Sequence, residues 1–443
     1  MRKVFLGVLV LMLAISIGVV VAQDNLSSVD PSGQTVTYWH QYNSDPQLAT
    51  INALIAEFNE TNEWGITVEG VAQGGYNEIR ELMNANIVSG DLPNLVAGFQ
   101  GDAASYASDG VVVDLNPYYS DAMWGFSEEE MADFNQGILN ANIFNYEPFN
   151  GARLAWPNQV SANVLAYNQT MLTELGFDGP PTTFEDFKAI ACAAAESDLT
   201  GAEDQPVQGY PIKTDSSNFE SMVASRGGVI YHDGAYDFNS PEVIATFEFY
   251  KDLYDSGCAY IPDSQFGNTA DFSLGVNPMA LGSNAGAPFI AADFEESGIE
   301  ADWSLTTTPW TEDNHALQVY APSIIMLQGT PEQNLAAWLF LKFLAEPEQQ
   351  VEWTTATLYL PIRYSASEML TDLEAANPYF AAANTLVNDP DLNIYTAPNL
   401  SSYNAVRGLV QEALANVTVN GMSVEDAVAT LQAGADQALA DSM

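Results

Sequence analysis

Arg153–Phe187 reads RLAWPNQVSANVLAYNQTMLTELGFDGPPTTFEDF, and it decides how the chain is built. Trp156 to Tyr167 is apolar and β-branched in patches, with Pro157 at its start, which predicts an extended run. Asn168 to Gly176 predicts a short helix, with Met171, Leu172 and Leu175 on one face and Gly176 as its stop. Gly179-Pro180-Pro181 breaks the chain. Thr182 or Thr183 then caps a new helix, with Glu185 or Asp186 three residues on. A strand leaves one place, a helix turns, and a Pro-Pro break hands the chain on. That is how a polypeptide passes from one lobe into another.

Upstream the pattern alternates. Val36–His40 predicts a strand with a polar, aromatic tip at Gln41-Tyr42-Asn43, and Leu48, Ile51, Ile55 and Phe58 follow at helical spacing. Ile66–Val71 predicts a second strand. Asn77–Ser89 predicts a helix ended by Gly90, and Asn94–Phe99 a third strand before a helix from Asp102 to Gly110. This β-α-β-α-β order is that of an open parallel sheet, which binds ligands outside the carboxyl ends of its strands. Downstream, Ala321–Leu327 predicts a strand, and Gly329-Thr330-Pro331-Glu332 caps a helix burying Leu335, Trp338, Leu339 and Phe343. Tyr403–Val417 and a helix capped by Ser423 close the chain.

Length and charge narrow the function. At 443 residues, two lobes are expected. The chain carries 11 Lys+Arg against 58 Asp+Glu, which excludes nucleic acid and an anionic membrane face as natural partners. Such a surface suits the solubility of an exported or salt-exposed protein, or a cationic substrate. Arg2-Lys3 followed by the apolar run Val4–Val21 and ending in Val20-Val21-Ala22 reads as a signal peptide. The run is also long enough to span a bilayer as a retained anchor. No Cys lies near the cleavage site to carry a lipid. Of the two cysteines, Cys192 and Cys258, export permits a bridge closing a loop of about 66 residues, worth about 4 kcal/mol; two buried free thiols are the alternative.

Catalytic signatures are weak. His40, His232 and His315 fit no zinc motif, and neither a P-loop nor a G-x-G-x-x-G occurs. Asp389–Asn393 starts like a calcium loop, but Ile394 stands where Gly is needed and Leu400 where Glu is needed. Gly282-Ser283-Asn284-Ala285-Gly286 is not a nucleophile elbow. No metal and no cofactor is expected, and the protein is not expected to be an enzyme. A secreted carbohydrate-active enzyme is the rival of another class, since fold alone does not fix chemistry.

An ordered set of residues carries a resemblance. It comprises Trp39-His40, Gly74-Gly75-Tyr76, Ser89-Gly90 before Pro93, and Pro157 with Tyr167-Asn168. Leu175-Gly176, Pro180-x-Thr182-x-x-Glu185, Phe272 to Met279 with Gly282-Ser283, and Leu358–Arg363 continue it. In this order they resemble the family 1 extracellular solute-binding proteins of ABC importers, of the glycerol-3-phosphate-binding and maltose-binding types. The resemblance spans nearly all of residues 35 to 440. It implies an α/β, two-lobed periplasmic-binding-protein fold: two doubly wound sheets joined by a multi-strand hinge, with the ligand cleft between them. The implied division is 1–22 signal peptide, 23–34 polar linker, 35–160 plus about 305–329 as lobe 1, and 161–304 plus about 330–443 as lobe 2. Trp303–Thr306 is expected to return to the first lobe.

The implied function is capture of a small solute by hinge closure, by a monomer, for delivery to ABC permease subunits in the membrane from the periplasmic or extracellular side. Neutral sugars need flat rings to stack on and amides or hydroxyls to pair with. Candidate rings are Tyr42, Tyr76, Tyr320, Tyr359, Tyr403 and, at a strand position that favours packing, Trp39. Candidate polar groups are Gln41, Gln100, Asp102, Ser161 and Ser283. Tyr76, Gln100, Ser161 and Tyr359 fall on ligand positions of the glycerol-phosphate-binding relatives. Tyr403 falls where the maltose-binding relative stacks a Trp. Where those phosphate binders have Arg and Gly, this chain has Asn399 and Tyr320, with Arg363 and Arg407 as nearby cations. A neutral saccharide or polyol is therefore favoured over glycerol 3-phosphate or a glycerophosphodiester.

Overall fold

The computed structural model describes residues 26–264, 266–311 and 314–442. The expected signal peptide lies outside them. Two five-stranded sheets, each covered by helices, form an α/β molecule of two lobes. The first sheet has the order Thr67–Ala72, Thr35–His40, Leu95–Gly98, Ser323–Met326, Trp156–Pro157. The first three strands are parallel, as the alternating pattern predicts, and Ser323–Met326 lies antiparallel between Leu95–Gly98 and Trp156–Pro157. The second sheet has Ser161–Asn168 at its centre. Met279–Ser283, Trp303–Thr306 and Ala316–Tyr320 all run antiparallel to it, and Asn393–Tyr395 extends the sheet beside Ala316–Tyr320.

The single extended run expected over Trp156 to Tyr167 is thus two strands in two sheets. Trp156–Pro157 closes the first and Ser161–Asn168 founds the second. The helix cues behave as expected. Asn168 accepts from the Met171 amide to start Gln169–Glu174, and Thr183 accepts from the Asp186 amide to start Phe184–Ala195. Thr330 and Gln333 form a reciprocal cap at Pro331–Leu344. The helix after the third strand starts at Gln100, two residues before the expected Asp102, because the Asp102 carboxylate reaches back to the Phe99 amide.

Alternation along Ser161–Asn168 sets the second lobe's two faces. Ala162, Val164 and Ala166 join one apolar cluster with Phe272, Phe294 and Trp303, while Leu165 joins another with Phe219, Tyr250 and Val410. Cys192 and Cys258 form a disulfide that ties Phe184–Ala195 to the strand Ala259–Tyr260 inside this lobe.

Three parts of the expected division are corrected. Trp303–Thr306 stays in the second lobe, because its backbone is taken up by Leu165–Asn168. The return to the first lobe comes only between Tyr320 and Ser323. Pro331–Leu344 and Pro347–Thr357 belong to the first lobe, where Leu335, Trp338 and Phe340 pack with Val36 and Tyr38. Residues 26 to 34 are docked and not a free linker: Leu26 is buried, its carbonyl accepts from the Trp124 indole at 3.0 Å, and Gly33 N–H bonds the Trp64 carbonyl. Three segments therefore pass between the lobes: 157–161, 320–323, and a third beginning at Leu358–Leu360, where Leu360 bridges Val160.

Candidate functional site

The lobe 1 half of the cleft grows from strand ends. Thr35–His40 delivers Gln41 and Tyr42 past its carboxyl end. The Tyr42 ring is 1% exposed and lies 4.8 Å from Trp353, whose other neighbour is Tyr359 at 6.3 Å. Gly75 leads into the helix Tyr76–Ser89, and its first ring, Tyr76, packs 4.5 Å from Phe99. Burial, with Tyr359 and Tyr42 close by, raises the Tyr76 phenol well above its ordinary pKa, and burial pushes Tyr42 up to about 12. Both stay protonated and able to donate. The Tyr76 hydroxyl and the Gln41 Oε1 are buried without a hydrogen-bond partner. A buried polar atom left unpaired costs about 1–3 kcal/mol, so each is an opening for an incoming group.

Gln100 and Asp102 are committed. The Gln100 amide donates to the Ala321 carbonyl at 2.9 Å and to Asn142 Oδ1 at 3.3 Å, tying this lobe to the second crossing. Asp102, 2% exposed, accepts from Arg80 Nε at 2.7 Å, Asn404 Nδ2 at 2.8 Å and the Phe99 amide at 2.9 Å.

The lobe 2 half is built on the strand pair in which Ser161 stands opposite Tyr320. Ser161 is buried. Ser283 ends its strand and accepts from the Ala285 amide at 3.2 Å, capping the short turn that follows. Its neighbour Asn284 accepts from the Ala162 amide at 2.7 Å and donates to the Leu358 carbonyl at 3.1 Å, so it locks two crossings together. Tyr403 opens the helix Tyr403–Thr418, and its hydroxyl donates to Glu220. One turn on, Arg407 donates to Ser217 Oγ at 2.8 Å and pairs with Asp215 at 3.5 Å. Burial pulls the Arg407 pKa down, but Tyr403, Asp215 and Glu220 outweigh it and hold the guanidinium above its ordinary value. Tyr320 is raised by burial and by Asp215, with the Ser217 hydroxyl at its side. Burial raises Glu220; the Tyr403 hydrogen bond, Arg407 and Ser216 oppose it.

The halves touch beyond the hinge. Asn404 of lobe 2 bonds Asp102 of lobe 1. Tyr146 Oη donates to the Asn399 carbonyl at 2.8 Å, and the Asn399 amide donates to the Ile143 carbonyl at 3.0 Å. Gly101 permits the approach: a Cβ there would lie 3.1 Å from the Leu400 carbonyl.

The structure places Gln41, Tyr42, Tyr76, Gln100 and Asp102 on the first lobe, Ser161, Ser283, Tyr320 and Tyr403 on the second and Tyr359 in the third passage between them, and three residues differ in role from the expectation. Tyr403 is 5% exposed and serves as a hydrogen-bond donor to Glu220, not as an open stacking face. Arg363 is removed from the cleft, pinned to Asp133 at 3.3 Å and packed 4.1 Å over Phe134. Asn399 spends its amide on the lobe contact. Sequence reasoning passed over Arg80, Asp215, Ser217, Glu220 and Asn404. A signal was there: Tyr76-Asn-Glu-Ile-Arg80 and Tyr403-Asn-Ala-Val-Arg407 share the form YN-x-x-R, and each opens a helix. A spacing of four puts Tyr and Arg on one helix face. The two arginines are close enough to oppose one another's charge. Among the described residues, no cluster of three or more His, Cys, Asp or Glu side chains could hold a metal, and no helix is long and apolar enough to cross a membrane.

A family model described as bacterial extracellular solute-binding protein matches residues 53–382. The chain is 21% identical over 412 residues to the sn-glycerol-3-phosphate-binding periplasmic protein UgpB of Shigella dysenteriae serotype 1, covering 89% of this chain and 90% of the relative. Among solved structures, the cyclic alpha-maltosyl-1,6-maltose binding protein of Arthrobacter globiformis superposes with a TM-score of 0.74 at 20% identity, over 92% of this chain and 99% of the other. UgpB of Mycobacterium tuberculosis, in complex with glycerophosphocholine, gives 0.74 at 18% identity, over 93% and 99%. At these identities the superpositions establish the two-lobed fold.

Proposed function

Because the chain belongs to the bacterial extracellular solute-binding proteins, we propose that it is the substrate-binding component of an ABC importer and that it closes on a neutral, hydroxyl-rich solute, a saccharide or polyol. The observation that carries this reading is the balance of the cleft. Its two arginines are matched, Arg80 by Asp102 and Arg407 by Asp215, while neutral groups, the Tyr76 hydroxyl and Gln41 Oε1, are left unpaired. A sugar hydroxyl can donate to Gln41 and accept from Tyr76, and the rings of Tyr76, Tyr320 and Tyr359 offer faces for its C–H surface. Gln100, Asp102, Ser161 and Ser283 frame the site from both lobes, which is what hinge closure on a ligand requires. The similarity to a maltosyl-sugar binder supports the solute class. Delivery to a membrane permease and action as a monomer at the outer face of the cell membrane follow from the family and belong to the proposal.

A phosphorylated glycerol solute is the second reading. It draws on the names of the relatives and on Arg80 and Arg407 facing one another. Each would have to leave a carboxylate to bind phosphate, in a chain with 58 acidic residues. Titration calorimetry against neutral mono- and oligosaccharides, polyols and glycerol 3-phosphate tests the choice. Heat from a neutral solute that falls about tenfold in affinity in Tyr76→Phe supports the proposal. Tight binding of glycerol 3-phosphate, with no heat from any neutral solute, overturns it.

A further inference from the structure

Asn284 stands beside three residues of the cleft at once. It is 2% exposed and opens the turn Asn284–Gly286 after the strand Met279–Ser283. Its Oδ1 accepts from the Ala162 amide at 2.7 Å, and its Nδ2 donates to the Leu358 carbonyl at 3.1 Å. Ala162 follows Ser161, Leu358 precedes Tyr359, and Asn284 itself follows Ser283. Neighbouring Cα atoms lie about 3.8 Å apart, so one carboxamide reaches three candidate solute positions at one residue's remove.

The two bonds also join the lobes. Ala162 belongs to the second sheet, whereas Leu358 ends the lobe 1 helix Pro347–Thr357 in the left-handed conformation, with φ 57°. A leucine seldom adopts that conformation. Two residues on, Leu360 and Val160 exchange both backbone hydrogen bonds, at 2.7 and 3.0 Å. The Asn284 bond to Leu358 therefore holds the start of the third passage while the bond to Ala162 holds the end of the first. Both partners are buried backbone groups, one a donor and the other an acceptor. A carboxamide satisfies both, a carboxylate only the Ala162 amide, and a hydrocarbon neither.

From this geometry we infer that Asn284 is a positioning residue for solute binding. It fixes Ser161 and Ser283 of the second lobe against Tyr359 of the third passage, so that closure brings all three onto the solute together. The inference rests on the cleft proposed above, but not on whether its solute is neutral or phosphorylated.

Asn284→Asp separates the two bonds, since it keeps the acceptor for Ala162 and loses the donor to Leu358. Calorimetry with maltose, ribitol and glycerol 3-phosphate should show about tenfold weaker binding in the variant, for whichever of the three the parent binds. The urea midpoint should stay close to the parent's. Hydrogen exchange supplies a measurement that needs no solute: the Val160 and Leu360 amides should exchange at least about tenfold faster in the variant, while Ala162 keeps its protection. Asn284→Ser, uncharged and too short to span both partners, is the companion in case the buried carboxylate impairs folding, and its affinity should fall by a similar factor. Reduced stability with unchanged affinity, or unchanged exchange at Val160 and Leu360, would each overturn the inference. Binding of glycerol 3-phosphate alone would overturn the neutral-solute proposal instead, and the same two measurements, made with that solute, would still decide the role of Asn284.

Discussion

His40 ends Thr35–His40, an interior strand of the first sheet, with 1% exposure and with neither ring nitrogen bonded, packed between Tyr38 at 5.4 Å and Tyr42 at 5.6 Å. Burial lowers its pKa from 6.5 to about 4. The unfolded chain therefore takes up this proton first as pH falls. Stability is lost between about pH 6.5 and 4 and levels off below, by up to about 3 kcal/mol from this group. His40→Phe removes the titration and two orphaned nitrogens. Urea unfolding at pH 7 and pH 4.5 should show a shallower acid loss in the variant than in the parent; equal slopes would mean that other groups carry the acid response. Asp102 belongs to the same scale. Asp102→Ala would strand Arg80 and Asn404 and is expected to cost about 2–4 kcal/mol in denaturant unfolding, whereas Ser283→Ala, which loses a single turn cap, should cost about 1 kcal/mol or less. Gln41 and Tyr42 could be proposed from their place past a strand end, and Tyr76, Tyr359 and Tyr403 from the resemblance to the solute-binding family. Asp215 and Glu220 were not, because 58 carboxylates give no reason to single out two until the backbone brings them to one arginine.

Helices and their caps could be read along the chain, since Thr183, Thr330 and Ser423 act on amides three residues away. The sheet edges could not. Trp156–Pro157 and Asn393–Tyr395 are strands of two and three residues, specified by partners far along the sequence and not by their own pattern. The same limit explains the misplacement of Pro331–Leu344. Its periodicity announces a buried helix but not the lobe that buries it. The Cys192–Cys258 link is an element-scale staple, joining the helix Phe184–Ala195 to the chain just before the strand Ala259–Tyr260. Replacing both cysteines with alanine should lower unfolding stability by about 2–4 kcal/mol. Solute affinity by calorimetry should stay within about twofold; a larger loss would place the staple in the path of closure.

Across the whole molecule the strongest long-range force is self-repulsion, 11 basic against 58 acidic residues. Screening shortens from about 30 Å at about 0.01 M salt to about 8 Å at about 0.15 M, so the melting temperature should rise across that range by several degrees. A flat profile would show the surface charge to be locally balanced. X-ray scattering should show a compact form with saturating solute. Asn404→Ala, which removes the Asp102 contact, should shift the unliganded protein toward a larger radius of gyration. The three passages between lobes carry one more consequence, for how the polypeptide comes into being. The first sheet lacks its interior strand Ser323–Met326 until four of the second sheet's five strands have been made. A chain that has emerged only as far as Thr306 has a gap beside Leu95–Gly98 and an unpartnered Trp156. Its first lobe is therefore expected to acquire resistance to proteases only when the last third of the chain arrives, and limited proteolysis of a chain truncated at Thr306 would check this.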